Sequence, residues 1–399
     1  MKIGIDASRA NLLQKTGTEL YAYTVIEELK KIAQPEDRFI LYSKEALRGG
    51  LERLPGNFSS QVLRWPPGVL WTQLRLSINQ MRQRPDVLFV PAHTLPLIAG
   101  EKTVLTLHDI GFERLAHLYS PDEIGPKGWA KKLLSAMVRL ATGGRYQANE
   151  LDYHRWSTRW ALRHADAIIV PSQFTKDEIV EVFGADPDII TVIYHGVDYE
   201  RFRPADASQS AAVLRRYGIT DPYFLFIGRL EAKKNTAGLV EAFAILKHAY
   251  KLPHKLVLAG KPGFGYEKVR NAILKHNLSK EIIFPGYVDS ADTAALYSAA
   301  SVFLFPTLYE GFGLPVLEAM ACDTPVVASN LASLPEISGT AAQLVDPYDP
   351  DEIASAVARV ASTPNLRETM RHRGREQVRR FRWSEAAKKT YQLIRDIAA

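Results

Sequence analysis

The 399-residue sequence contains a single cysteine, Cys322. One thiol permits no intramolecular disulfide and no cysteine-based metal site, which excludes a disulfide-stapled scaffold and fits a reducing compartment. No apolar run approaches the ~18 residues needed to cross a bilayer. The start, MKIGIDASRA, reads as a strand and lacks the apolar core of a signal peptide. A cytoplasmic setting is therefore expected. Low-complexity tracts, solenoid-type repeats and nucleic-acid motifs are also missing, and no nucleic-acid partner is expected. The excess of one charge sign is small, with 50 Lys and Arg against 44 Asp and Glu, or +6. That balance favours phosphorylated ligands or anionic surfaces over basic partners, and by itself it reads equally as solubility.

What is present is ordinary globular composition, 46% hydrophobic and 24% charged. At ~150 residues per domain, two domains are expected. KIGID is a short apolar strand, and after a loop containing Gly17 the run ELYAYTVIEELKKIA has helical period. Further β-rich runs occur at Arg38–Tyr42, Val87–Val90, Thr103–Leu107, Ala167–Val170 and Ile190–Tyr194, with helical patterns between several of them. HGVDYERFRPADASQS is polar and turn-rich, as a linker would be. A second series begins with strand Tyr223–Ile227 and continues through Lys255–Ala259, Ile282–Phe284, Val302–Phe305, Pro325–Ala328 and Ala342–Leu344. Strands alternating with helices imply parallel sheets covered on both faces. The expectation is an α/β chain with an N-terminal domain over 1–203, a C-terminal domain over 204–382 and an amphipathic helix over 383–399. Ligands of such sheets bind beyond the carboxyl ends of the strands, which directs attention to the groove between two such domains.

The most informative stretch is FLFPTLYEGFGLPVLEAMACDTPVVAS. An apolar strand ends at Phe305 and a Pro/Gly loop presents Glu310. Pro315 lies near the first turn of a helix, where proline is tolerated. Glu318 follows Glu310 by eight positions, inside that helix. Gly311 and Gly313 allow a ligand to approach the backbone, and the unpaired N–H groups of a helix start at Phe312, Gly313 and Leu314 suit anions and hydroxyls. A bare pair of glutamates at this spacing is common; the whole string after a strand is not.

This string resembles the E-x7-E signature of the retaining glycosyltransferases of family four. Their fold, GT-B, has two Rossmann-like doubly wound domains facing each other across a cleft, with the C-terminal helix returning to the first domain. A second region, FLFIGRLEAKKN, resembles the family's entry to the nucleotide domain: strand, Gly228-Arg229, then Lys234 before a helix. In the third, TVLTLHDIGF, His108 and Asp109 follow a strand, and related mannosyltransferases place such a histidine against the donor sugar. The Gly17 loop matches the Gly-rich N-terminal loop of the family. It departs from the common pattern, with one glycine and Glu19 where relatives often have a second glycine and a basic residue. Weaker echoes are ADAIIVPSQFTKDEI, YHGVDYERFRP and FPGYVDSADTAALYSAASVFLFP, the last placing Val288 near the base.

The resemblance implies transfer of a sugar from a nucleotide donor with retention of anomeric configuration. Glu310 is expected on the donor sugar's hydroxyls and Glu318 on both ribose hydroxyls. Arg229 and Lys234 are expected on the diphosphate, whose charge grows as the glycosidic bond breaks. The donor-binding set is Gly17, Gly228, Val288, Phe312, Gly313, Leu314 and Glu318; the catalytic set is Glu310, His108, Arg229 and Lys234. His93 and Asp109 are candidates for the acceptor side. For His93 a locally bonded turn histidine is an equal account, and for Asp109 helix capping is. Asp-x-Asp pairs at Asp186/Asp188 and Asp349/Asp351 sit where turn and capping chemistry explains them, so no metal and no cofactor beyond the nucleotide-sugar co-substrate are expected.

The donor expectation is GDP-mannose, with a UDP-sugar (glucose, galactose or N-acetylglucosamine) as the alternative. A GT-B-fold nucleotide-sugar epimerase and a non-catalytic binder are further readings. The expected acceptor is a glycan or polyprenyl-linked glycan. Between Phe112 and Asn149 an apolar stripe (Trp129, Leu133, Leu134, Met137, Val138) runs beside Lys127, Lys131, Lys132, Arg139 and Arg145. Residues Lys127–Arg145 are consistent with peripheral contact to an anionic membrane at its inner face, with a helix packed on its own domain, or with a subunit interface.

Overall fold

A computed structural model of the chain describes residues 1–65, 70–119, 146, 149–219 and 222–399. The Lys127–Arg145 segment lies outside the described residues. The chain divides into two compact units: Met1–Ala116, Ser120–His195 and Trp383–Ala399 form the first, and His117–Tyr119 with Gly196–Arg382 form the second.

The first unit is built on strands β1 (Lys2–Asp6), β2 (Arg38–Ser43), β3 (Phe58–Val62), β4 (Val87–Val90), β5 (Lys102–Thr106), β6 (Ala167–Val170) and β7 (Ile190–Val192). They form one parallel sheet in the order β3-β2-β1-β4-β5-β6-β7. The second unit has β8 (Tyr223–Ile227), β9 (Lys255–Ala259), β10 (Ile282–Gly286), β11 (Val302–Phe305), β12 (Val326–Ser329) and β13 (Ala342–Val345). Its parallel order is β10-β9-β8-β11-β12-β13. Both are the Rossmann-like sheets expected from the alternating pattern. The central runs VLFV, AIIV, VFLF and VVAS are buried at every position, because helices cover both faces of a parallel sheet. Strand order reverses between β1 and β4 in the first unit and between β8 and β11 in the second. Each reversal opens a crevice at the strands' carboxyl ends.

The helix Trp383–Ala398 belongs to the first unit, where its stripe of Trp383, Ala386, Ala387, Thr390, Tyr391 and Ile394 is buried. It packs on the Gly17–Ile32 helix. The Tyr391 hydroxyl donates to Asp37 Oδ2 and accepts from the Gln34 N–H at 3.0 Å. The expected boundary at 203/204 requires correction, since the second unit begins at Gly196. The polar stretch taken as a linker is structured. Val197 N–H bonds Phe381 O at 3.1 Å, the Tyr199 hydroxyl bonds Val378 O, and Arg201 Nε bonds Ser290 O at 2.8 Å. No described helix is long and apolar enough to cross a membrane.

Candidate active site

In the second unit the loops leaving β8 and β9 touch main chain to main chain. Gly228 and Gly260 have φ of +154° and +148°, and a Cβ on Gly260 would lie 1.8 Å from the Gly228 carbonyl oxygen. Only glycine fits there. The loop continues through Leu230, whose N–H bonds Lys261 O at 3.0 Å. Arg229 thus leaves a fixed strand end with its side chain 68% exposed and a 3.6 Å ion pair to Glu231, a geometry that leaves the guanidinium able to reach a ligand. A 3-10 turn over Ala232–Lys234 and a left-handed Asn235 (φ +52°) lead into the Thr236–His248 helix. Asn235 tolerates that conformation and its amide bonds Pro347 O at 2.6 Å. The turn aims Lys234 at Glu310, and their charged groups form an ion pair.

The loop after β11 is held from both sides. Leu308 N–H bonds Lys233 O at 3.0 Å, and the Ser333 hydroxyl lies 2.9 Å from both Glu310 O and Phe312 O. Gly313 (φ +106°) opens the Leu314–Ala321 helix, with Pro315 in its first turn as the sequence requires. A Cβ on Gly313 would meet Leu334 Cδ2 at 2.5 Å. Within this helix the Glu318 carboxyl accepts a 3.1 Å hydrogen bond from the Tyr297 hydroxyl. Burial pushes the Glu318 pKa up to about 7, against the opposing pull of Arg201 and of the Tyr297 bond. The Tyr297 phenol is pushed up by its own burial and by the Glu318 charge.

The second unit therefore brings Glu310 and Lys234 into contact and fixes Glu318 on the same loop and helix. Arg229 is paired with Glu231. Phe312 is 5% exposed and stacks edge-on against Phe381 at 5.7 Å, so its side chain serves packing. Leu314 is half-buried at the helix entry, and Val288 is half-buried just past β10. Tyr297, Arg201, Glu231 and Ser333 were not anticipated. Their roles arise from tertiary contacts between segments far apart in sequence, and no local motif marks them.

In the first unit Gly17 is the first residue of the Gly17–Ile32 helix, and a Cβ there would meet nothing within 4 Å. His108 follows β5 with Nε2 3.4 Å from Pro91 O, and its ring meets Tyr21 edge-on at 4.8 Å. Burial lowers its pKa, with the Pro91 carbonyl and the charges of Asp109 and Glu19 opposing. Its imidazole is accordingly neutral at pH 7. Asp109 Oδ1 accepts the Gly111 N–H two residues on at 3.1 Å, a local turn contact at the start of the short Gly111–Arg114 helix. The His93 ring lies 4.7 Å from that of His154, and burial followed by the His154 charge lowers its pKa strongly. Asp186 and Asp349 cap the turns that follow them, through the N–H groups of Asp188 at 2.9 Å and of Asp351 and Glu352 at 2.9 and 3.0 Å. Among the described residues no group of three or more His, Cys, Asp or Glu could hold a metal ion.

The family model described as Glycosyltransferase Family 4 matches residues 16–201, and that described as Glycosyl transferases group 1 matches residues 215–377. The alpha-maltose-1-phosphate synthase of Mycolicibacterium smegmatis is 31% identical over 347 residues, covering 82% of this chain and 84% of that relative. The chain belongs to glycosyltransferase family four. This family member is also 34% identical over 248 residues to the O-antigen chain mannosyltransferase B of Escherichia coli, covering 61% of the chain. That match spans 64% of the mannosyltransferase, a little under two thirds of its length. Among solved structures, sucrose-phosphate synthase from Thermosynechococcus elongatus superimposes with a TM-score of 0.73 at 20% identity, covering 99% and 98% of the two chains. Anabaena HepE in complex with UDP-glucose gives 0.71 at 17% identity, covering 99% and 100%. At these identities the two structures bear on the fold, and they place the family member in the GT-B architecture.

Proposed function

We propose that this family-four member is a retaining, metal-independent hexosyltransferase that moves mannose from GDP-mannose to a glycan or polyprenyl-linked glycan acceptor. The observation that carries the reading is the Lys234–Glu310 ion pair beyond the carboxyl ends of β8 and β11, with Arg229 on the first of these loops and Glu318 on the helix that follows the second. These ends flank the strand-order reversal where α/β sheets bind nucleotides.

In this reading Arg229 and Lys234 neutralise the diphosphate. Arg229 offers a planar fork and Lys234 a compact charge, and both act most strongly when the leaving group carries its full charge. Binding of the diphosphate draws Lys234 from Glu310 and frees the carboxylate for the donor sugar's hydroxyls. Glu318 accepts the two ribose hydroxyls once ionised, one carboxylate offering oxygens to two donors. Two fixed cations supply the charge stabilisation that a divalent ion supplies elsewhere, and no cofactor is required. His108, held neutral, contributes a hydrogen bond to the sugar, and the leaving phosphate takes the acceptor's proton. His93 lies toward the acceptor. Transfer takes place in the cytoplasm, at the inner face of the membrane when the acceptor is lipid-linked.

Mannose is favoured by the likeness to the O-antigen mannosyltransferase. A UDP-sugar is the second reading, favoured by the fold shared with HepE, which was crystallised with UDP-glucose. The test is turnover with a donor panel of GDP-mannose, UDP-glucose, UDP-galactose and UDP-N-acetylglucosamine. GDP release from GDP-mannose, with an α-linked product by NMR, is the expected result. Turnover of a UDP-sugar alone, an inverted anomer, or an epimerised sugar without transfer would each contradict it.

A further inference from the structure

Glu310 is supported from two sides, and the supports differ in kind. In front, its carboxylate pairs with Lys234, and the Leu308 N–H bonds Lys233 O at 3.0 Å. Behind it lies the loop that leaves β12. The Asn330 N–H pins that loop to Val345 O at 2.8 Å, and the Leu331 N–H bonds Ser329 Oγ at 3.0 Å. Ala332 then adopts φ +57°. A residue with a Cβ is disfavoured in this left-handed region, so the surrounding structure enforces the turn. The turn delivers Ser333 and Leu334 to the back of the Glu310 loop. Leu334 Cδ2 fills the space beside Gly313, where an added Cβ would lie 2.5 Å from it.

Ser333 forgoes its ordinary local role. It occupies the N-cap position of the Leu334–Ser338 helix, where a serine oxygen usually accepts an N–H of the first turn. Its backbone is helical there (φ −75°, ψ −11°) and its side chain makes no cap bond. The fully buried hydroxyl lies 2.9 Å from both Glu310 O and Phe312 O. One proton is thus shared between two carbonyls that flank Gly311. Across a trans peptide the N–H points opposite to the C=O. With both carbonyls drawn to Ser333, the N–H groups of Gly311 and Gly313 face the other side of the loop.

We propose that Ser333 is a positioning residue for the reaction: its hydroxyl holds the main chain of Glu310 and Phe312 in place while the Glu310 carboxylate leaves Lys234 for the donor sugar. This deepens the donor reading and rests on it. In that reading the diphosphate draws Lys234 away, so ligand binding removes the ion pair in front and leaves the Ser333 contact behind. Ser333 touches no substrate. Its effect is greatest after the ion pair has opened. It therefore acts on turnover more than on nucleotide binding, whose contacts come from Arg229, Lys234 and Glu318.

Two measurements on the full chain test this: the GDP dissociation constant by isothermal titration, and kcat for GDP release from GDP-mannose. UDP and UDP-glucose are run in parallel, and the pair that the parent turns over is compared. Ser333→Ala should lower kcat about tenfold or more, with the nucleotide dissociation constant unchanged within about twofold. Ser333→Cys fits the same space and donates more weakly. Its kcat should fall between those of Ser333→Ala and the parent, and it carries the test if Ser333→Ala does not fold. A serine with a merely structural role would loosen the whole unit, so that nucleotide affinity and kcat decline together. That result overturns the proposal, as does turnover of Ser333→Ala at the parent rate. A parent that binds neither GDP nor UDP overturns the donor reading and this proposal with it. Nucleotide binding by the parent with full turnover by Ser333→Ala overturns this proposal alone.

Discussion

The Tyr297 hydroxyl donates a 3.1 Å hydrogen bond to Glu318 Oε2. Glu318 is thereby held in a half-buried position where its pKa rises from 4.5 to about 7, so near neutral pH it is divided between two protonation states. A ribose hydroxyl donates to the ionised form. Donor affinity should therefore strengthen from pH 6 to pH 8, and isothermal titration with the nucleotide-sugar at both values checks it. Tyr297→Phe removes a bond that favours the anion, so its affinity should rise later, at higher pH.

The same shift fixes a sign for stability. The Glu318 pKa is higher in the folded chain than in the unfolded one, so folding takes up a proton between these values. Any stability it contributes is present below the unfolded pKa and is lost as pH climbs through about 7. Glu318→Gln, which cannot ionise, should gain thermal stability relative to the parent on going from pH 5 to pH 8. Differential scanning calorimetry at the two values reads the difference.

Arg229 separates activity from folding. Its side chain is 68% exposed and, among the described residues, holds a long ion pair to Glu231, and exposed pairs contribute only about 0–1 kcal/mol. Arg229→Ala should unfold within a degree or two of the parent, while kcat/KM should fall by roughly 10²-fold, as for loss of one charge-stabilising group. Lys234→Ala should lose activity to a similar degree and should also strand the Glu310 carboxylate, so its melting temperature should drop as well.

Two glycines make a matched pair. A Cβ at Gly260 would lie 1.8 Å from the Gly228 carbonyl, whereas one at Gly17 would meet nothing within 4 Å. Gly260→Ala should destabilise the second unit by about 3 kcal/mol or more through strain and backbone displacement. Gly17→Ala should fold normally, and any loss of turnover in it then reports on ligand approach. Circular dichroism melts of the two variants provide the comparison.

Much of this was legible in the sequence, for a physical reason. Fully buried parallel strands such as VFLF and AIIV are continuous apolar runs, so the loops after them, which carry the candidate residues Arg229, Lys234, Glu310 and His108, could be located from order alone. Edge strand β3 was missed because FSSQV buries only its first residue and carries too little apolar pattern. The linker was misjudged because HGVDYERFRP is polar in composition, while what orders it is pairing with Val378 and Phe381. Tyr297 and Arg201, which oppose the effect of burial on Glu318, come from other segments, and only the folded chain brings them together.

The central claim is that one unit grips the activated sugar through four side chains. A crystal structure of the chain with bound GDP tests it most directly. The account predicts Arg229 and Lys234 on the diphosphate oxygens, the Lys234–Glu310 pair opened, and Glu318 on the ribose. A nucleotide bound elsewhere, with the Lys234–Glu310 pair intact and Glu318 turned away from it, would contradict the account.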